Sequence, residues 1–171
     1  DSFRETGLGD LEYDHAASVI GLPLVKALEE LSPGITPQNH RILLETYKRH
    51  FLERSSTESL LFSGARDLLQ ILCDAGYYVA IATGKSRAVL ERDFDNCSVR
   101  PYIHSSRTID ECNPKPDPHM IHSLISDFKV DYSETIMVGD TTFDLEMAEK
   151  AGVASIASSY GAHPREKLLR F

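Results

Sequence analysis

Two kinds of hydrophobic spacing divide the chain. Over roughly the first 60 residues the apolar positions recur at three- and four-residue intervals, and no run alternates as a strand would. Pro23 is placed to open a helix with Leu24, Leu28 and Leu31 on one side, which Ser32-Pro33-Gly34 ends. Thr36-Pro37 reads as an N-cap followed by the first helical residue of a segment to Arg54, with Leu44, Tyr47 and Phe51 at helical spacing. Ser55-Ser56-Thr57 reads as a linker.

From Gly64 onward helix and strand alternate. Ala65, Leu68, Leu69 and Leu72 mark a helix face closed by Asp74-Ala75-Gly76. Tyr77 to Ala82 (YYVAIA) is almost wholly apolar, as expected of a strand covered by helices on both faces. A helix through Val89, Leu90 and Phe94 follows, then a weaker strand at Tyr102-Ile103. Asp117-Pro118 is predicted to cap and open a helix whose Ile121, Leu124, Ile125 and Phe128 fit one helical face. Glu134 to Gly139 (ETIMVG) is a predicted strand, Thr142 to Ala151 a helix ended by Gly152, and Val153 to Ala157 another strand. Repeated βα units predict an α/β fold with a parallel sheet and right-handed crossovers.

Composition narrows the partners. The 171 residues suffice for one α/β domain with a modest insertion. A formal net charge of -8 excludes nucleic acid and anionic membrane surfaces, which are held mainly by clustered Lys and Arg. It leaves room for a small phosphorylated ligand bound by a few local cations. No apolar run approaches the roughly 20 residues needed to cross a bilayer. Cys73, Cys97 and Cys112 show no CxxC spacing and are odd in number, which predicts no disulfide framework and a reducing, cytoplasmic setting. Cys73, among Leu69, Ile71 and Leu72, is expected to be buried. A monomer or weak dimer is expected.

In parallel α/β sheets, ligands bind beyond the carboxyl ends of the strands. Thr83-Gly84-Lys85 follows the first predicted strand there, Lys115-Pro116 the second, and Gly139-Asp140 with Asp144 the third. Two carboxylates at a loop and helix start suit Mg²⁺, which takes oxygen ligands and keeps several waters. A lysine and a hydroxyl beside backbone N–H groups, such as that of Gly84, suit a phosphate dianion. Together they supply what phosphoryl transfer needs: charge neutralisation and positioning. Each has a plainer reading. Thr141-x-x-Asp144 fits a helix-capping box, Asp140 a turn, Lys115 a solvated loop, and Thr83-Gly84 a cap and turn. Lys85 and Arg87 fit a solvated helix start, and His119 and His122 fit surface positions rather than a metal site.

The stretches IATGKSR, NPKPDP and VGDTTFD, in this order and spacing, resemble the second, third and fourth motifs of the haloacid dehalogenase superfamily. The likeness is nearest to the phosphoglycolate phosphatase-like branch and runs from residue 1 to residue 163. It implies a Rossmann-like core over 61–171 with an all-α cap over 3–60. It further implies a Mg²⁺-dependent phosphatase of small phosphorylated metabolites that works through an aspartyl-phosphate. The resemblance assigns Thr83 and Lys115 to the phosphoryl group and Asp140 and Asp144 to the metal. The Ile20-Gly21-Leu22-Pro23 turn of the cap is the candidate substrate-facing loop. A β-phosphoglucomutase-type mutase, a non-catalytic phosphate-binding relative and a receiver-type signalling module are the rival readings. The family's first motif, of the form DxDGTLxDS, carries the nucleophile on a central strand. Asp1-Ser2 looks like its last two letters, so the expectation is a chain cropped at both ends whose catalytic aspartates precede residue 1.

Overall fold

The structure is a computed structural model that describes residues 1–55 and 61–171. Backbone packing separates two compact units, Asp1–Glu58 and Ser59–Phe171.

The first unit is helical: α1 (Ser2–Glu5), α2 (Tyr13–Ser18), α3 (Leu24–Leu31) and α4 (Pro37–Ser55). Pro23 stands at the N-cap of α3, and Ala27 and Leu28 form its buried stripe. Ser32 closes it by donating its hydroxyl proton to the Leu28 carbonyl, at 2.5 Å. Thr36 accepts the Asn39 N–H at 3.3 Å, the predicted cap at the start of α4. Leu43, wholly buried, anchors α4, and Tyr47 stacks on the half-buried Phe51 at 6.2 Å. The predicted Ser55-Ser56-Thr57 linker falls mostly outside the described residues.

The second unit contains α5 (Ala65–Asp74), β1 (Ala80–Ala82), α6 (Arg87–Cys97), β2 (Ser105–Arg107) and α7 (His119–Phe128). It continues with β3 (Ile136–Gly139), α8 (Thr142–Ala151), β4 (Ala154–Ala157) and α9 (Arg165–Leu168). Both strand pairings are parallel: β1 with β2, from Ala80↔Ser105 to Ala82↔Arg107, and β3 with β4, from Ile136↔Ala154 to Gly139↔Ala157. Parallel strands flanked by helices make this the α/β fold that the pattern predicts. Among the described residues the strands form two two-stranded sheets. α7 joins them, packing on β1 and β2 and on α8, which lies against β3 and β4.

The period-2 alternation of a strand shows in β1. Ile81 packs into a cluster with Leu90, Phe94, Cys97 and Val99, on the α6 side. Ala82 faces a second cluster of Met120, Ile121, Ile125, Met147, Ala148, Ala151 and Val153 between α7 and α8.

Several predicted elements need correction. Of YYVAIA only Ala80–Ala82 is strand; Tyr77 and Tyr78 are exposed, and Tyr78 stacks on Phe128 at 4.8 Å. Tyr102-Ile103 is not a strand. Pro101, with its fixed φ and no N–H, sits in a 3₁₀ turn over Arg100–Tyr102, and the strand is the polar Ser105–Arg107. Pro118, not Asp117, is the N-cap of α7, although Asp117 still accepts the His119 N–H at 2.9 Å. Cys73 is only half-buried and donates its thiol proton to the Tyr102 carbonyl; the buried cysteine is Cys97. In β3, Ile136 and Val138 are exposed while Met137 packs against the α7–α8 cluster, and all four residues of β4 are exposed.

Met147 is wholly buried at the centre of the α7–α8 cluster. Met147→Ala is expected to destabilise the protein by about 2–5 kcal/mol, the range for emptying a packed core site. Ile71→Ala, at a position 62% exposed, is expected to cost under about 0.5 kcal/mol. Denaturant melts of the two variants check both.

Candidate active site

Three of the sequence-predicted segments lie in the second unit, each after the carboxyl end of a strand: Thr83 after β1, Lys115 downstream of β2, Asp140 after β3. α8 starts immediately beyond Asp140. Thr141 is its N-cap; its hydroxyl accepts the Asp144 N–H at 3.3 Å and donates to Asp144 Oδ2 at 2.7 Å. The Thr141 N–H also reaches Oδ2, at 3.0 Å, completing a capping box. The other carboxylate oxygen, Oδ1, receives Lys115 Nζ at 2.5 Å. Both side chains of this pair are buried, at 9% and 6% exposure.

Burial by itself raises the Asp144 carboxyl, which is the largest influence. The charge and hydrogen bond of Lys115, with the two Thr141 donors, outweigh it and hold the group below the usual carboxylate range. The capping reading of Asp144 is therefore correct, and the same carboxylate also holds a cation. That cation is Lys115.

Asp140 has a different setting. Its Oδ2 accepts the Ala162 N–H at 2.8 Å, and its carbonyl accepts the His163 N–H at 3.1 Å. His163 is buried, takes the Thr142 N–H on Nδ1 at 3.0 Å and sets its ring against Phe143. Gly161 makes this approach possible, because a Cβ there would overlap the Asp140 side chain. Gly139 does the same for Asp144. Both glycines are required for space, and the sequence offers no periodic signal for Gly161 or His163.

Thr83 extends the β1–β2 ladder by donating its N–H to the Arg107 carbonyl at 3.0 Å. Its hydroxyl accepts the Lys85 N–H at 3.2 Å, which shapes the half-buried turn through Gly84. Lys85 turns away onto α6, with Nζ 2.5 Å from the buried Asp93 carboxylate. His119 accepts the Asn113 N–H at 3.3 Å, and His122 packs edge-on against Tyr132. Gly21 belongs to the other unit, where it adopts φ 103° between the bridged Ile20 and Leu22.

The oxygen donors of Asp140 and Asp144 are of the type Mg²⁺ prefers. Asp144, however, has both oxygens engaged by Lys115 and Thr141. Among the described residues no group of three or more His, Cys, Asp or Glu is assembled for a metal. Two carboxylates, Asp140 and Asp144, would suit an ion that keeps water and shares a phosphate ligand.

A sequence profile described as haloacid dehalogenase-like hydrolase matches residues 1–158. The chain belongs to that family. The probable phosphatase IndB of Dickeya dadantii (strain 3937) is 32% identical over 155 residues, covering 88% of this chain and 67% of that protein. The pyrophosphatase PpaX of Bacillus velezensis is 26% identical over 145 residues, covering 84% of this chain and 65% of its own length. The chain thus spans about two thirds of these relatives. Among solved structures, a predicted phosphoglycolate phosphatase from Haemophilus somnus 129PT superposes with a TM-score of 0.89 at 16% identity, over 99% of this chain and 79% of that one. That likeness establishes the fold, parallel strands flanked by helices.

Gly161→Ala is expected to force Asp140 off the Ala162 amide and to destabilise the protein by about 1–3 kcal/mol, the usual cost of overpacking. Thermal melting against the wild type checks it.

Proposed function

We propose that the protein is a Mg²⁺-dependent phosphatase of small phosphorylated metabolites. The observation that carries the reading is the buried Lys115–Asp144 pair, which delivers an ammonium group to the strand-end side of the unit. An ammonium has three N–H donors and Asp144 takes one, so two are left for phosphoryl oxygens. The Thr83 hydroxyl already accepts the Lys85 N–H, which leaves its proton to donate to another phosphoryl oxygen. The Gly84 amide lies in the same turn. Membership of a hydrolase family, and relatives named phosphatase and pyrophosphatase, support phosphoric ester hydrolysis.

Within this reading Asp140 is the residue that would hold Mg²⁺. The bound ion would supply charge neutralisation at the phosphoryl oxygens. Asp144 fixes Lys115 through Oδ1, and that oxygen keeps a second lone pair with which it would help Asp140 hold the ion. Attack on phosphorus through an aspartyl-phosphate, with the family's first-motif aspartate as nucleophile, belongs to the same proposal. Residues 3–60 are assigned as the cap that selects the leaving group, with Gly21 in its substrate-facing turn. The acidic net charge of -8 fits a small substrate held by local cations rather than a polyanion.

The full-length protein is expected to hydrolyse an aryl phosphate with added Mg²⁺ and to lose turnover in excess EDTA. Full activity in EDTA defeats the metal assignment.

Lys115→Met is expected to lower turnover by roughly 10²–10³, the scale for removing one preorganised donor to a developing oxyanion. It also strands the Asp144 carboxylate, at a cost of about 3–5 kcal/mol, so turnover is measured well below the variant's own melting temperature. Lys85→Met is expected to cost far less turnover, since Lys85 is held on Asp93. Equal impairment of the two variants assigns the clamp to the wrong lysine.

A further inference from the structure

Arg87, the first residue of α6, lies just beyond the Thr83 turn and reaches across to the loop that leads to Lys115. Its Nε and Nη2 donate to the two oxygens of Glu111 at 2.9 and 2.7 Å, a bidentate pair. Nη1 also meets the Ser106 hydroxyl at 2.7 Å and Glu91 at 3.2 Å, and Nη2 reaches the Ser106 carbonyl at 3.2 Å. The Arg87 backbone N–H donates to Asp110 at 2.6 Å, and the Ile109 N–H to the Lys85 carbonyl at 3.3 Å. Glu111 accepts the Thr108 N–H at 3.1 Å, so the same carboxylate also folds its own turn. Beyond it, Cys112 packs against the α7–α8 cluster, the Asn113 amides bond to His119 and Asp117, and Lys115 reaches Asp144. From Thr108 to Lys115 the loop is thus pinned repeatedly, and its first fastening is to the turn that holds Thr83.

An isolated surface ion pair contributes little. Arg87 and Glu111 differ from that case because two planar groups meet in a fork and because backbone groups of both loops join the same network. Arginine is required for it: lysine offers one point charge where five forked donors are used.

We infer that the Arg87–Glu111 pair is a positioning device that fixes the Thr83 turn against the loop carrying Lys115, and so sets the geometry in which both meet one phosphoryl group. The inference rests on the assignment of Thr83 and Lys115 made above. A pair that only added stability would shift the melting temperature without moving kcat at a temperature where the variant is folded. A positioning pair moves kcat.

The test uses the full-length protein with Glu111→Gln, Arg87→Lys and the double exchange of Arg87→Glu with Glu111→Arg, each assayed below its melting point. Glu111→Gln and Arg87→Lys are expected to lower kcat on an aryl phosphate by about 10- to 100-fold with KM nearly unchanged, the scale of a small misplacement of catalytic groups. The double exchange is expected to recover part of that loss. Amide hydrogen exchange over residues 108–112 is expected to quicken in the single variants and slow again in the exchange. Unchanged kcat and unchanged hydrogen exchange in Glu111→Gln overturn the inference, as does faster exchange with unchanged kcat. A wild-type protein that hydrolyses no phosphomonoester defeats the functional reading instead; hydrogen exchange then decides by itself whether the pair fixes the two loops.

Discussion

The second unit turns on one buried ion pair, Lys115 with Asp144. Two charges taken out of water recover their desolvation cost only if every remaining polar atom finds a partner. Asp144 meets that condition: Oδ1 faces the ammonium and Oδ2 takes two donors from Thr141. Its place at the start of α8 adds the positive end of the helix dipole. Replacing such a pair by apolar side chains is often neutral or stabilising, so stability is a poor reason for its presence. Its consequence is orientation. A long, flexible side chain from a loop is held at one point beside the strand ends.

The same pair separates the employment of two carboxylates only four positions apart. Asp144 has no unused oxygen, and its close seat requires the missing side chain of Gly139. Asp140 spends one oxygen on the Ala162 amide and is seated on Gly161. Neither carboxylate can move far, since each is packed against a glycine with no room for a methyl group. An acidic protein can therefore hold one cation, Lys115, and one carboxylate, Asp140, each in its own fixed seat, which long-range charge alone would not arrange. Lys85 shows the contrast. It lies beside the Thr83 turn in sequence, yet the buried Asp93 draws it onto α6.

The helices were legible in the sequence wherever an apolar stripe met a capping residue. α8, with Thr141 ahead of it and Gly152 behind it, is described by the structure within the predicted limits. The order of the site segments was legible too, because parallel βα units put strand ends on one side. The strands were legible only by their apolar cores. The first half of YYVAIA is held by the stacking of Tyr78 on Phe128 and by Val79, whose N–H meets the His104 ring and whose carbonyl accepts the His104 N–H, contacts that no alternation rule reports. Contacts that depend on a side chain being absent, as at Gly161, leave no periodic trace. The partner of Asp144 could not be read either: a lysine 29 positions earlier in the chain answers the carboxylate through a turn that only the fold brings near.

The misplaced second strand is the informative failure. Hydrophobic pattern favours Tyr102-Ile103, and the structure uses Ser105–Arg107, three polar residues, instead. A polar strand in a parallel pair violates the local rule, and such violations gather where side chains have other work. Ser106 gives both its hydroxyl and its carbonyl to Arg87, and Arg107 spans to Ser123 and Asp127 on α7 while its own carbonyl receives the Thr83 N–H. β2 is thus less a piece of core than a rail on which the Thr83 turn, the Glu111 loop and α7 are mounted. Apolar side chains there would have improved the burial and removed the polar groups that hold those three parts in register.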